Sequence, residues 1–394
     1  MATNVTVDAL LDRVQDMAPI LRAHSAEAEA QRRLSRPVVD AMLQAGLYSM
    51  ARPKAFGGLE LDPITMFRVL EEVARQDNAA AWNLGMSVGG HLFLAWLPDE
   101  GAAEILHSHP QTLFAGSFTP GRQALPVDGG YRLRGQWPFA SGSHDCHWFV
   151  FLPDIMDGDQ PRRNDQEKTV QRFMFLPANQ VTILDTWHTL GMRGTGSEDV
   201  VVSDVFVPER HTALLAPLEQ PGMAYQGPLY CLALWVAVGF LACSALGIAR
   251  AAMDELLALA RTKTPSYTSA GLGQRQVVQR QVAKAEATLG AGRAYLHATF
   301  QAIWDAAIQG AQIILDQKLK MQLAASHSIV CAVKAVDLVH AAAGTSAIRN
   351  EYQFQKYFRD VHTIQQHAFA SASRYESVGA LMLGAESDWG FFDF

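Results

Sequence analysis

From residue 5 to about 110, apolar positions recur every three to four residues, the period of helices with one buried face. LLDRVQDMAPILRAHSAEAEAQRRL is the first such run. SRPVVDAMLQAGL adds a serine cap with proline in the first turn. FGGLELDPITMFRVLEEVARQD repeats that logic after a Gly-Gly turn, and WNLGMSVGGHLFLAWL is an apolar helix thinned by glycines. After about residue 110 the pattern changes. GGYRLRGQWPF, CHWFVFLP, TVQRFMFLP, QVTILD and DVVVSDVFVP are short, β-branched or aromatic, and bounded by turn residues, so they predict antiparallel strands. DIMDGDQPRRNDQEKT (154–169) predicts an exposed loop between strands. From about 225 the helical period returns in runs long enough for a four-helix bundle whose outer faces meet another copy. The expected fold is therefore α+β and multidomain: an N-terminal helical domain over 1–110, a central antiparallel β-domain over 111–218 and a C-terminal helical bundle over 219–394.

Composition narrows the function classes. A chain of 394 residues exceeds what one core usually serves, and 49% hydrophobic residues supply several. The net charge of −7, without a basic tract, argues against nucleic-acid binding. Cys146, Cys231, Cys243 and Cys331 show no metal-ligand or CxxC spacing and suit buried thiols in a reducing cytoplasm. The start, MATNVTVDALLDRV, is polar and amphipathic, unlike a secretory signal. LALWVAVGFLACSALGIA (232–249) is near membrane-spanning length, but its small residues and continuation into RAAMDELLALAR predict a buried helix and no membrane partner.

Three segments carry candidate chemistry. In WPFASGSHDC (137–146), Trp137 and Phe139 offer an apolar wall, and Ser141 and its small neighbours allow close approach of a planar ligand; a plain turn is the simpler reading. In WHTLGMRGTGSEDVVV (187–202), glycines allow close backbone approach and Arg193, Thr195 and Ser197 supply donors, although the spacing is neither a P-loop nor a Rossmann fingerprint. In RDVHTIQQH (359–367), Asp360 and His367 stand seven apart, predicted on one helical face. An imidazole on such a scaffold suits proton transfer or hydrogen bonding to a reactive species. Arg359 and Asp360 also read as a helix-locking ion pair. Arg261 and Lys263 follow a helix end, where they neutralise cofactor phosphates or complement the helix dipole. Thr345 and Ser346 lie where a long helix breaks at Gly344, which is equally a cap. His91 reads first as a core histidine. His144 and His147 form no convincing metal site.

FGGLELD (56–62), WPFASG (137–142), WHTLGMRGTGSEDVVVSDVFVPE (187–209), AAAGTSAI (341–348) and FQKYFRDVHTIQQH (354–367) together resemble the acyl-CoA dehydrogenase fold. More narrowly they resemble the oxygenase components of two-component flavin-dependent monooxygenases, the branch of p-hydroxyphenylacetate, secosteroid and dibenzothiophene monooxygenases. That resemblance implies a homotetramer, with the flavin lying between domains and reaching a neighbouring subunit. It implies reduced FMN or FAD from a separate NAD(P)H-dependent reductase, with O2 as co-substrate and a flavin C4a-hydroperoxide as the oxygenating species. It assigns His367 to the peroxide, Ser141 to flavin N5 and His91 to the substrate side. Arg193, Thr195, Ser197, Arg261, Thr345 and Ser346 fall to the flavin, with Trp137 and Phe139 as the candidate apolar wall beside it. Many acyl-CoA dehydrogenases carry a glutamate base soon after this RD pair; here the register gives His367 and then Ala368. Asp254 and Glu255 keep a dehydrogenase alternative open, since a carboxylate there could remove an α-proton. The substrate expected is a small aromatic or heteroatom-containing molecule. The aromatic tail SDWGFFDF (387–394) is expected to pack on a neighbour or over the active site.

Overall fold

A computed structural model describes residues 5–215 and 220–393. Five helices come first: α1 (Val7–Gln31), α2 (Arg36–Gln44), α3 (Pro63–Gln76), α4 (Asn78–Phe93) and α5 (Asp99–His107). Their starts follow local chemistry. Thr6 caps α1 by accepting from Ala9 N, Asp62 caps α3 from Thr65 N with Pro63 in the first turn, and Asp77 caps α4 from Ala80 N. Ser35 does precede α2, but its side chain makes no capping hydrogen bond.

The middle of the chain holds ten strands: β1 (Phe114–Ser117), β2 (Gln123–Val127), β3 (Gly130–Ala140), β4 (Trp148–Phe151), β5 (Asp154–Asp157), β6 (Gln160–Pro161), β7 (Arg172–Pro177), β8 (Thr182–Ile183), β9 (Glu198–Pro208) and β10 (Thr212–Leu214). They form a four-stranded sheet, β1-β4-β7-β10, and a six-stranded sheet, β6-β5-β2-β3-β9-β8. Most pairings are antiparallel, but β1 runs parallel to β4 and β2 parallel to β5. The segment expected as a loop over 154–169 instead folds into β5, β6 and an isolated bridge between Arg163 and Thr169. Alternating positions on both sheets bury Trp137, Phe149, Phe151, Leu176 and Val200 in one core.

The chain then returns to helices: α6 (Pro228–Cys231), α7 (Ala233–Thr262), α8 (Gln276–Ile308), α9 (Leu315–Ala343), α10 (Phe354–Ile364) and α11 (Ser373–Met382). α7 packs on α9 and also on α3 and α4, so the N-terminal helices and the bundle share one core. Close approach explains some glycines: a Cβ at Gly247 would meet Ala74 Cβ at 2.4 Å, and one at Gly239 would meet the Phe67 ring at 2.3 Å. α7 and the stretch Leu315–Ile348 are long and apolar enough to cross a membrane, but 89% of the α7 window is buried inside this fold. The boundary expected at 218–219 lies outside the described residues, as does Phe394.

Candidate active site

β3 and β9 are paired, and the pairing brings two distant sequence segments together. Ser141 follows β3, Ser197 precedes β9, and their hydroxyls lie 2.6 Å apart. Thr195 Oγ1 is 2.6 Å from Ser197 Oγ and donates to Met192 O at 2.8 Å. Trp82 of α4 donates from Nε1 to Ser141 Oγ at 2.9 Å. Each hydroxyl has one hydrogen, so these contacts fix a direction. With the Thr195 proton on Met192 O, Ser197 donates to Thr195 and Ser141 donates to Ser197. All three side chains are buried. One acceptor lone pair remains on Ser141 Oγ, which suits a ligand N–H.

Phe139 sits beside this relay with φ +66° and is 64% exposed. Its aromatic neighbour is Trp187, edge-on at 6.2 Å. Trp137 does not share that wall. It is fully buried, stacked on Phe151 at 4.4 Å, in the core of the β-domain. Strand alternation would put Trp137 and Phe139 on one face, but an irregularity in register between Trp137 and Ala140 turns Phe139 out.

His367 meets Trp82, the relay's indole donor, from the bundle side. Its ring lies edge-on to Trp82, with centroids 5.7 Å apart. It is not on the helix face shared with Asp360, because α10 ends at Ile364 and His367 lies in the following turn. Phe369 N donates to His367 Nδ1 at 3.3 Å, so the neutral ring carries its proton on Nε2. Burial lowers its pKa to about 4. At neutral pH it is therefore an N–H donor and a weak base.

Asp360 and Arg359 do different work from the pair expected of them. Asp360 is fully buried and accepts from Met192 N, from Asn78 Nδ2 at 2.6 Å and from Lys356 Nζ at 3.0 Å. Burial alone would lower the Lys356 pKa, but Asp360, Asp77 and Glu29 outweigh it and the ammonium is held charged. Arg359 turns the other way, to Glu29 at 2.9 Å and Leu190 O at 2.6 Å. Both therefore tie α10 to the 187–197 loop. Asn78 and Lys356 were not marked as functional in the sequence, although the i,i+4 spacing of Lys356 and Asp360 was there to read.

The other expected residues are more dispersed. His91 is wholly buried, edge-on to Phe114 at 4.9 Å, with neither ring nitrogen closing a hydrogen bond. Nine residues along a helix is about 180° of rotation, so it leaves α4 opposite Trp82 and does not line the same opening. Burial, with the nearby Arg52 guanidinium, pushes its pKa down to about 3. Arg193 is partly buried and its Nε has no partner. Arg261 lies exposed in the last turn of α7, not beyond it. Lys263 is the residue that serves that corner, donating to Ala343 O at 2.9 Å and Ser346 Oγ at 2.8 Å. Thr345 is exposed beside Ser346. Among the described residues, no hydrogen bond or ring contact joins Arg261, Thr345 or Ser346 to the Ser141 relay. Nor do the described residues hold a group of three or more metal-ligating side chains. Asp254 is bound to Arg75 at 2.6 Å, and Glu255 accepts from Gln353 N at 3.1 Å, so neither is poised at the relay as a base.

Comparison with known proteins decides the family. The acyl-CoA dehydrogenase N-terminal domain matches residues 7–107 and the acyl-CoA dehydrogenase C-terminal domain matches 240–372. Indole-3-acetate monooxygenase of Pseudomonas putida is 33% identical over 98% of this chain and 95% of its own. The chain belongs to the flavin-dependent monooxygenases of acyl-CoA dehydrogenase fold. This monooxygenase is also 28% identical, over 96% of its length and 94% of the relative, to the oxygenase component of the FADH2-dependent resorcinol hydroxylase of Rhizobium sp. strain MTP-10005. A Streptomyces structure, XiaF with FADH2 and glycerol, superposes with a TM-score of 0.89 at 24% identity, covering 97% of each chain. Relatives and structural neighbours alike are monooxygenases or oxygenase components, and the activity class of this chain is that of a flavin-dependent monooxygenase.

Proposed function

We propose that this monooxygenase takes reduced FMN or FAD from a separate NAD(P)H-dependent reductase and uses O2 to oxygenate a small aromatic substrate, as a cytoplasmic homotetramer. The overall reaction is substrate, O2 and reduced flavin giving hydroxylated product, water and oxidised flavin. When bound, the flavin supplies the oxygenating species, its C4a-hydroperoxide. The residues of this site fit such a group. Phe139 leaves a ring face exposed for a planar heterocycle, and Ser141 keeps an acceptor for a ligand N–H such as N5–H of reduced flavin. Arg193, Thr195 and Ser197 lie in the loop beside it. Arg261, Thr345 and Ser346 gather at the far end of α7, so they serve the flavin of a neighbouring subunit in this reading.

The observation that carries the proposal is the placement of a neutral imidazole against Trp82, whose indole N–H is in turn held by Ser141. A dehydrogenase needs a carboxylate placed to remove an α-proton, and Asp254 and Glu255 are engaged by Arg75 and Gln353 N instead. An oxygenase needs a donor that steadies a developing oxygen charge and a dry wall that delays its escape. His367 Nε2–H is such a donor. Because its pKa is near 4, it does not act as the principal base towards a phenol at neutral pH. Trp82 and Phe139 supply the wall.

The test is rapid mixing of the anaerobic complex with reduced FMN or FAD against oxygenated buffer, followed by absorbance. A transient distinct from reduced and oxidised flavin, consumed faster when an aromatic substrate is present, supports the reading. Monophasic reoxidation with no substrate effect contradicts it. Indole-3-acetate, the substrate named for the Pseudomonas putida relative, is the first compound to try.

A further inference from the structure

We infer that Arg374 is an anion anchor for the substrate, and that the preferred substrate is an aromatic molecule carrying a carboxylate. This rests on the oxygenase reading and adds to it the substrate's charge and the residue that reads it.

Arg374 lies in the first turn of α11 and is only 8% exposed. Its guanidinium donates from Nη2 to Ser373 Oγ at 3.1 Å, while Nε and Nη1 are buried without an acceptor. Burial lowers its pKa; Asp388 and Glu376 oppose that from a distance. Both of these carboxylates are exposed, and neither forms an ion pair with it among the described residues. A buried charge left with one neutral hydrogen bond is expensive, and proteins retain such a group where a partner of opposite charge arrives.

The surroundings say what kind of partner fits. The indole of Trp389 covers the guanidinium face at 3.7 Å, leaving the in-plane N–H donors as the route to a ligand. A planar carboxylate matches those donors. Trp389 packs on Phe369 at 4.7 Å, and Phe391 meets the same ring at 4.5 Å. Phe369 in turn lies 6.0 Å from the His367 ring. Arg374 and His367 therefore flank one aromatic patch, which would hold a flat ring with its acid group towards Arg374 and its reacting carbon towards His367. The C-terminal tail builds part of that patch from this chain's own residues. Trp389 Nε1 is itself buried without an acceptor, a second free donor beside the guanidinium that its ring covers.

The test compares indole-3-acetate with 3-methylindole, the same ring without the carboxylate, on the flavin-loaded enzyme. Wild type is expected to favour the acid in kcat/KM. Arg374→Gln should lower the acid-to-neutral ratio of kcat/KM by about 10- to 100-fold, the range for losing a charged hydrogen bond, and mainly through KM. Arg374→Lys should restore part of it. Equilibrium binding of the two compounds is measured in parallel. Arg374-dependent binding of the acid without any oxygenated product would keep the anchor and overturn the oxygenase reading. An unchanged ratio in Arg374→Gln, a wild type that prefers the neutral compound, or a variant that loses its native oligomeric state and both substrates alike would overturn the anchor.

Discussion

Replacing Asp360 by asparagine keeps the shape of the side chain and removes its charge. Lys356 then stays behind, 5% exposed, with Asn78 Oδ1 as its remaining close acceptor. Breaking a buried ion pair from one side costs about 3–5 kcal/mol, because the surviving charge is desolvated and uncompensated. The cost falls in one place, since the same carboxylate holds Met192 N, and Met192 sits at φ +54° at the entry to the 193–197 turn. Asp360→Asn should therefore lower stability by about that amount and also weaken reduced-flavin affinity. Chemical denaturation of the flavin-free protein reads the first effect, and titration with reduced flavin under argon reads the second. A double variant with Lys356→Met should recover at least ~1.5 kcal/mol relative to the sum of the single changes, since it removes the stranded charge. A stability loss below ~1 kcal/mol in Asp360→Asn, or strict additivity in the cycle, would refute this account of the network.

Three other outcomes follow from the same structure. His367→Ala should lower product formed per reduced flavin consumed, with hydrogen peroxide taking up the difference, more than it lowers flavin binding; unchanged coupling removes His367 from oxygen transfer. Arg261→Ala should weaken reduced-flavin affinity several-fold if the exposed guanidinium meets a flavin phosphate, whereas unaltered affinity leaves it only the end of the α7 dipole. Acid should destabilise the fold through histidines whose folded pKa values lie below 6.5, His91 at about 3 and His367 at about 4. The unfolded chain binds their protons first, so this stability is fully present above about pH 6.5 and is lost as pH falls towards those folded values. The two together add a slope of up to roughly 3 kcal/mol per pH unit, and denaturant titrations between pH 7 and 4.5 that show no such slope contradict their burial in the neutral form.

Much of the order of the chain was legible. Helical period, then short turn-bounded strands, then long helices reappear as α1–α5, β1–β10 and α6–α11, because burial of one face imposes those periods. The meeting of WPFASG with RGTGS was legible only through the family resemblance; the residues alone do not say that β3 pairs with β9. Trp137 and Phe139 show where alternation misleads, since one irregularity in register sends neighbours of like character to opposite sides. His367 shows the same for helices. The stretch QQHAFAS contains no glycine or proline to mark the end of α10, so helical spacing runs on in the sequence after the helix has stopped. Trp82 was invisible for a different reason: an indole in an apolar helix reads as core, and its N–H partner lies 59 positions away in sequence. Arg374 was missed because a single arginine beside a serine-rich turn looks like surface charge until its burial is known.

If the site transfers oxygen, one atom of O2 leaves it in the organic product. A single turnover of the enzyme with reduced flavin, indole-3-acetate and 18O2, followed by mass spectrometry of the product, tests it directly. One 18O atom is expected in the product for most of the flavin oxidised, with the second appearing as water. Unmodified substrate with the label recovered in hydrogen peroxide, or a product whose oxygen comes from solvent water, would contradict it.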